Sequence, residues 1–251
     1  MVLTPTAAGL RAAPKADGVA RQEARPVENP YLLMLLLGGV AALAAAVFVM
    51  QRAAERRRAD QMCEVAPALG FSFDGESKKP GESGLDPGLT SFALLKHGRS
   101  SRVRNLMRAA TVDGEDLLFE FRYVVSTGKS SHAVVQTVAA FRRRGARIPA
   151  FQLSPESVFS KIGHLLGGQD IDFDSNEAFS SQYVLKGEDP DAVRAFFERQ
   201  AVMYFADRPG WSAEGAGEWL ILYRASRREK PEDLREWLDE VRRAARALDP
   251  R

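Results

Sequence analysis

The chain has 251 residues, with 35 Lys+Arg against 33 Asp+Glu, three histidines and one cysteine. Residues 1–63 hold 8 basic and 5 acidic side chains and residues 64–251 hold 27 and 28, so the larger part is nearly neutral, poor material for sequence-blind nucleic-acid binding. A lone Cys63 excludes an intrachain disulfide framework and a Cys-rich zinc site, and fits a reducing compartment.

Residues 1–30 contain Pro5, Pro14, Pro26 and Pro30 without apolar periodicity, the pattern of a disordered tail. Tyr31 to Met50 then runs for 20 residues without a charge. A helix of this length, at about 1.5 Å per residue, matches the roughly 30 Å hydrocarbon core of a bilayer. A cleaved leader is the rival reading, with Ala44, Ala45 and Ala46 as a small-residue site, but the run exceeds the roughly 7–15 residues of a signal core. Arg52, Arg56, Arg57 and Arg58 follow it closely, whereas the ten preceding residues offer only Arg21 and Arg25. Positive flanks stay inside, which predicts a single pass through the cell (inner) membrane, a cytoplasmic soluble domain and an external N-terminus. The same arginines are candidates to meet anionic headgroups. Gly38, Ala42 and Ala46 share one helix face at the spacing that lets two spans approach, so a homodimer through this face is an open expectation.

A juxtamembrane helix is expected over 51–70, weakened at Pro67, then a short strand at Phe71–Phe73 and a flexible loop over 75–88. Asp113-Gly114 reads as the two-residue turn of a hairpin. After it Leu117, Phe119, Phe121, Tyr123 and Val125 alternate with Glu120, Arg122 and Ser126, the period of a half-buried strand. Arg102–Val112, Asp116–Ser126 and His132–Arg142 therefore form an antiparallel meander. Ser154 and Pro155 read as the start of a helix with Val158, Phe159, Ile162, Leu165 and Leu166 on one stripe, ended by Gly167-Gly168. Tyr183–Leu185 is a strand, and Asp189-Pro190 opens a second helix carrying Val193, Phe196, Phe197, Ala201, Tyr204 and Phe205. Trp211–Tyr223 is a second hairpin, turning near Gly215–Gly217. Pro231 opens a last helix whose Leu234, Trp237, Leu238, Val241, Ala245 and Leu248 form a single apolar face. The predicted class is α+β: one N-terminal transmembrane helix followed by a soluble domain over 71–251, with an antiparallel meander and three packed helices. Two lobes, at about 89–168 and 169–251, remain an open alternative.

Motifs of chemistry are few. Thr127-Gly-Lys-Ser-Ser131 contains the end of a phosphate-binding loop, but position 123 is Tyr where that loop needs Gly, and a strand follows; a polar hairpin turn fits better. Asp170, Asp172 and Asp174 alternate like the start of a calcium loop, yet its sixth and twelfth positions are Ser175 and Ser181 rather than Gly and Glu. An extended segment burying Ile171 and Phe173 accounts for the pattern. His97, His132 and His164 are far apart in sequence, and no nucleophile elbow or zinc motif is present. Arg142, Arg143, Arg144 and Arg147 form the densest basic stretch of the domain, read either as a solvated hairpin end or as a surface for lipid headgroups.

The succession TGKSSH turn, VVQTVAAF, SPES, GGQDIDFD, FSSQYVLKGEDPDAV and a Trp-bearing hairpin resembles uncharacterised bacterial single-pass membrane-anchored proteins built on a domain of unknown function. The likeness covers about residues 64–248. It implies a bacterial membrane protein and carries no activity, cofactor or catalytic residue. The expected function is a membrane-tethered domain that binds a protein partner or the lipid surface, with no cofactor and no nucleic acid. The alternative is a tethered enzyme or small-molecule sensor, with Glu120, Asp170, Asp172, Glu188 and Tyr183 as candidates.

Overall fold

The computed structural model describes residues 30–128, 130–159, 170–173 and 176–248. The N-terminal tail, Lys129, Asp174 and the expected helix beyond Phe159, with His164 and Gly167-Gly168, lie outside the described residues. Two compact units divide the chain between Arg52 and Ala53.

The first unit is the N-terminal part of helix α1 (Pro30–Ala68). Every side chain from Tyr31 to Met50 is exposed. Its apolar window has a mean hydropathy of 2.7, and among the described residues α1 is the one helix long and apolar enough to cross a membrane. Gly38, Ala42 and Ala46 lie in this stretch, and a Cβ added at Gly38 would meet nothing within 4 Å.

The second unit is α+β. Its strands are β1 (Ser72–Asp74), β2 (Arg99–Thr111), β3 (Gly114–Thr127), β4 (Ser130–Arg143), β5 (Ile148–Pro155), β6 (Tyr183–Gly187), β7 (Ser212–Gly217) and β8 (Trp219–Tyr223). They form one antiparallel sheet of order β1-β2-β3-β4-β8-β7-β5-β6. Period-two alternation sorts β3 onto two faces. Leu117, Phe119, Phe121 and Tyr123 join Val138, Ala140, Trp219, Ile221 and Tyr223 in one core. That core is closed by Leu89 of α2 (Pro87–Thr90) and by Phe92, Leu94 and Leu95 at α3 (Ala93–Lys96). Leu118, Ala139, Phe141, Leu220 and Leu222 face the other way. There they meet Met62 and Ala66 of α1, and helices α6 (Pro190–Phe196), α7 (Arg199–Asp207) and α8 (Leu234–Leu248). Two further short helices are α4 (Glu156–Phe159) and α5 (Glu177–Ser180).

The meander and the apolar face of α8 form as the alternation and helical spacing predict, with Leu234, Trp237, Leu238, Val241, Ala245 and Leu248 all buried. The second hairpin forms too, but turns at Gly217-Glu218, with Gly215 paired to Leu220 inside β7. Several local expectations change. The first hairpin turns one residue earlier, at Val112-Asp113, with Thr111 paired to Gly114. Gly114 is needed for space, since a Cβ there would lie 2.1 Å from the Arg142 carbonyl oxygen. Ser154 is no cap: it is buried in β5, between β7 and β6, and Pro155 ends that strand. The helix from Asp189 is two helices, broken at Phe197, whose ring packs edge-on to Phe151 at 4.9 Å. Segment 75–88 carries a 3-10 turn at Pro80–Glu82, a bridge from Lys78 to Val103 and a buried Leu85. Helix α1 continues through Pro67, and Gly70, at φ +82°, turns the chain toward β1.

Phe119 is fully buried and Val112 is 96% exposed at the turn tip. Phe119→Ala is expected to lower unfolding free energy by about 3–5 kcal/mol, and Val112→Ala to stay within about 0.5 kcal/mol. Thermal and urea unfolding of the full chain in detergent, followed by near-UV circular dichroism, checks both.

Candidate functional site

The sequence-derived carboxylate candidates do not converge. Glu188, Asp170 and Asp172 are all exposed; Asp170 accepts a hydrogen bond from Leu185 N at 3.0 Å, and partial desolvation of its carboxyl raises its pKa. The Tyr183 hydroxyl donates to the Arg208 carbonyl at 3.3 Å, and burial pushes it up to about 12. Thr127 and Ser130 of the TGKSS stretch pair at the end of the β3–β4 hairpin. No group of three or more His, Cys, Asp or Glu able to hold a metal ion occurs among the described residues.

Glu120 has a different role from a solvated strand position: its side chain is fully buried. Arg58 of α1 donates Nε to its Oε1 at 2.6 Å. Arg228 donates Nε to Oε1 at 2.9 Å and Nη2 to Oε2 at 2.6 Å, a bidentate grip. Asn105 Nδ2 donates to Oε2 at 3.0 Å. The same Arg228 donates to both oxygens of Glu55, at 2.9 and 2.7 Å, and Arg104 Nη2 donates to Glu55 Oε2 at 2.7 Å. Hydrogen bonds from Arg228 hold Glu55 below the usual carboxylate range against its desolvation. Burial acts to lower the Arg228 pKa, and the two carboxylates outweigh it and raise it.

Local structure explains why these groups meet. The register of β2 against β3 shifts between Arg104 and Met107, and Asn105 takes φ +50° there. This bulge turns Asn105 toward Glu120, the use to which bulges are put next to polar sites. Beyond β8 the chain lies along β4, with Ser226 N donating to Gln136 Oε1, Thr137 N to the Arg227 carbonyl and Glu229 N to Thr137 Oγ1. That docking brings Arg228 over the sheet, and the Glu229 carbonyl accepts from Arg58 Nη2.

A second polar feature is a cleft of about 130 Å³ lined by Phe141, Arg143, Ile148, Leu220, Arg242, Ala245 and Arg246. Asp116, almost fully buried, accepts from Arg143 Nη1 at 3.1 Å on one oxygen and from Arg242 Nη2 at 3.2 Å on the other. The Arg143 guanidinium lies 5.5 Å above the Phe141 ring. A third feature is Glu214, buried on the opposite face of the sheet. It accepts from Ala93 N at 2.7 Å, Leu94 N at 3.0 Å and the Tyr223 hydroxyl at 3.3 Å.

No protein-family model and no curated protein matches the sequence. Among solved structures, the chain matches the crystal structure of the mycobacterial trehalose monomycolate transport factor A, TtfA. Identity is 14% and the TM-score 0.49, over 77% of this chain and 96% of that one. A likeness of that extent says nothing about chemistry.

The arginines singled out by sequence separate into two sets. Arg58 is tied to Glu120, Arg142 to Glu218 at 2.9 Å, and Arg143 to Asp116. Arg56, Arg57, Arg144 and Arg147 are exposed, as is Arg52, whose guanidinium lies 5.0 Å over the Phe48 ring. Arg104, Asn105, Asp116, Glu214, Arg228, Arg242 and Arg246 escape the sequence reading. For Asp116 and Glu120 a signal existed: both share the strand parity of Leu118, which is fully buried.

Removing one partner of a buried ion cluster leaves the others uncompensated. Glu120→Ala is expected to cost about 3–5 kcal/mol, against less than about 0.5 kcal/mol for Arg57→Ala, an exposed neighbour of Arg58; chemical denaturation of the full chain decides. A second expectation concerns pH. Burial raises Glu214 from 4.5 to about 7, outweighing its three donors. The folded chain therefore holds this proton more tightly than the unfolded chain. The stability it contributes is whole below about pH 4.5 and is lost as pH rises to about 7, at up to about 1.4 kcal/mol per pH unit. Glu214→Gln should remove that part of the slope in unfolding free energy between pH 4.5 and 7; an unchanged slope would refute the assignment.

Proposed function

We propose that this chain is a bacterial single-pass membrane protein whose α+β unit is a binding module working at the cytoplasmic lipid surface, and not a catalyst. One observation carries the reading: the uncharged helical stretch Tyr31–Met50 has every side chain exposed. In water so large a contiguous apolar surface is unfavourable, and in lipid it is satisfied. Supporting it, the buried carboxylates Glu120 and Asp116 are held by arginines, and Glu214 by two backbone donors and the Tyr223 hydroxyl. Tethering raises the effective concentration of a weak binder at the membrane without adding a contact. The exposed Arg56, Arg57, Arg144 and Arg147 supply positive charge for anionic headgroups, each worth about 1 kcal/mol near the surface. The arginine bias after the span supports the cytoplasmic orientation.

The full chain is expected to stay in the membrane pellet through alkaline carbonate and high salt, and to leave it only with detergent. A reporter active only in the cytoplasm, fused after Arg251, should be active, and a periplasm-only reporter silent. Release by carbonate would remove the anchoring, and an active periplasmic reporter would reverse the orientation.

A further inference from the structure

The cleft between β4, β8 and α8 has the make-up of a ligand site. Its apolar lining is Phe141, Ile148, Leu220 and Ala245, and its polar part is three guanidiniums, Arg143, Arg242 and Arg246. Asp116 holds two of them through one amino group each, Arg143 Nη1 and Arg242 Nη2. Arg143 Nη1 also donates to the Arg142 carbonyl at 2.9 Å. Each guanidinium has five N–H donors, so Nε and Nη2 of Arg143 and Nε and Nη1 of Arg242 keep their donors. The Phe141 ring beneath Arg143 further limits its motion. Arg246 is exposed in the last turn of α8. Its position there suits the helix dipole, but that does not explain two more arginines fixed across an apolar floor. Three positive groups against Asp116 leave a net charge of two at one mouth.

We propose that this cleft binds a phosphomonoester carrying an apolar substituent: the dianion is gripped by Arg143, Arg242 and Arg246, and the substituent lies on Phe141, Ile148, Leu220 and Ala245. Asp116 is a positioning residue that presets the two guanidiniums before the ligand arrives. A planar guanidinium fork matches phosphate oxygens in bidentate geometry, and an apolar lining with a few convergent polar groups is the usual make-up of ligand sites. The phosphomonoester is either a lipid headgroup or a soluble compound, and the assignment stands independently of the membrane anchoring proposed above.

The test is calorimetric titration of the full chain in a non-ionic detergent with dihexanoyl phosphatidate, inorganic phosphate and dihexanoyl phosphatidylcholine. Saturable binding of the phosphatidate, competed by inorganic phosphate, is expected, with the choline lipid at least about tenfold weaker because its phosphate is a masked diester. Arg246→Gln, an exposed substitution that leaves the ion pairs of Asp116 intact, should weaken phosphatidate binding about tenfold, with an unchanged near-UV spectrum. Phenyl phosphate, titrated alongside as a soluble phosphomonoester, assigns the site to a soluble ligand if it matches the phosphatidate, whereas inorganic phosphate binding as tightly as the phosphatidate would overturn the role given to the apolar floor. The proposal is overturned if neither phosphomonoester binds saturably, if the choline lipid binds equally well, or if Arg246→Gln leaves affinity unchanged.

Discussion

A carboxylate sealed from water must be surrounded by positive charge or hydrogen-bond donors, and Glu120 imposes that requirement on three separate segments of this chain. Arg58 comes from the long helix α1, Asn105 from a bulge in the neighbouring strand, and Arg228 from a loop more than a hundred residues later in sequence. Each segment alone has little reason to adopt its observed path. Asn105 sits in the left-handed region, and the 224–229 segment extends along β4 past the end of β8. The shared carboxylate makes these choices mutually consistent. The ion network is weak evidence for net stability, since an apolar replacement can do as well. Its stronger consequence is register: a slip in any of the three segments strands a buried charge.

Around that network the sheet is covered on both faces, and the division of labour is chemical. One face of β3 carries Leu117, Phe119, Phe121 and Tyr123 and is closed by short helices. The other carries Asp116, Leu118 and Glu120 and is closed partly by helices and partly by arginines. The alternation was legible in the sequence because its period of two is a property of the strand itself. What it does not encode is whether the second face meets water. A charged residue at every other position is written the same way in both cases. Only the long-range arrival of Arg58, Arg228, Arg143 and Arg242 separates them.

The same distinction explains which other elements could be read. Helix α8 needs only its own spacing, so its buried face was plain from the one-letter string. Strand β5 was not, because Pro149 and Pro155 argue against a strand. The structure accommodates Pro149 within a register shift between Ile148 and Phe151 and places Pro155 at the strand's last position. The break at Phe197 was hidden for a similar reason: its neighbours Phe196 and Ala201 fit a helical stripe, and the Phe197 ring instead packs on Phe151, Phe173 and Phe179, residues far from it in sequence. Gly114 was noticed for the wrong physical cause, turn conformation in place of the close approach of a strand carbonyl.

Arginine count is likewise a poor guide to arginine function. Adjacent residues Arg57 and Arg58 have opposite fates, one exposed and one locked on Glu120. Arg143 and Arg144 repeat the contrast at the end of β4. An arginine already neutralised on two edges has little left to offer a headgroup, whereas one pinned by a single carboxylate oxygen keeps most of its fork and loses its conformational freedom in advance. Arg228 is of the first kind and Arg143 and Arg242 are of the second. The chemistry available at the surface of this fold is therefore set less by how much positive charge the sequence holds than by which guanidiniums its buried carboxylates leave half used.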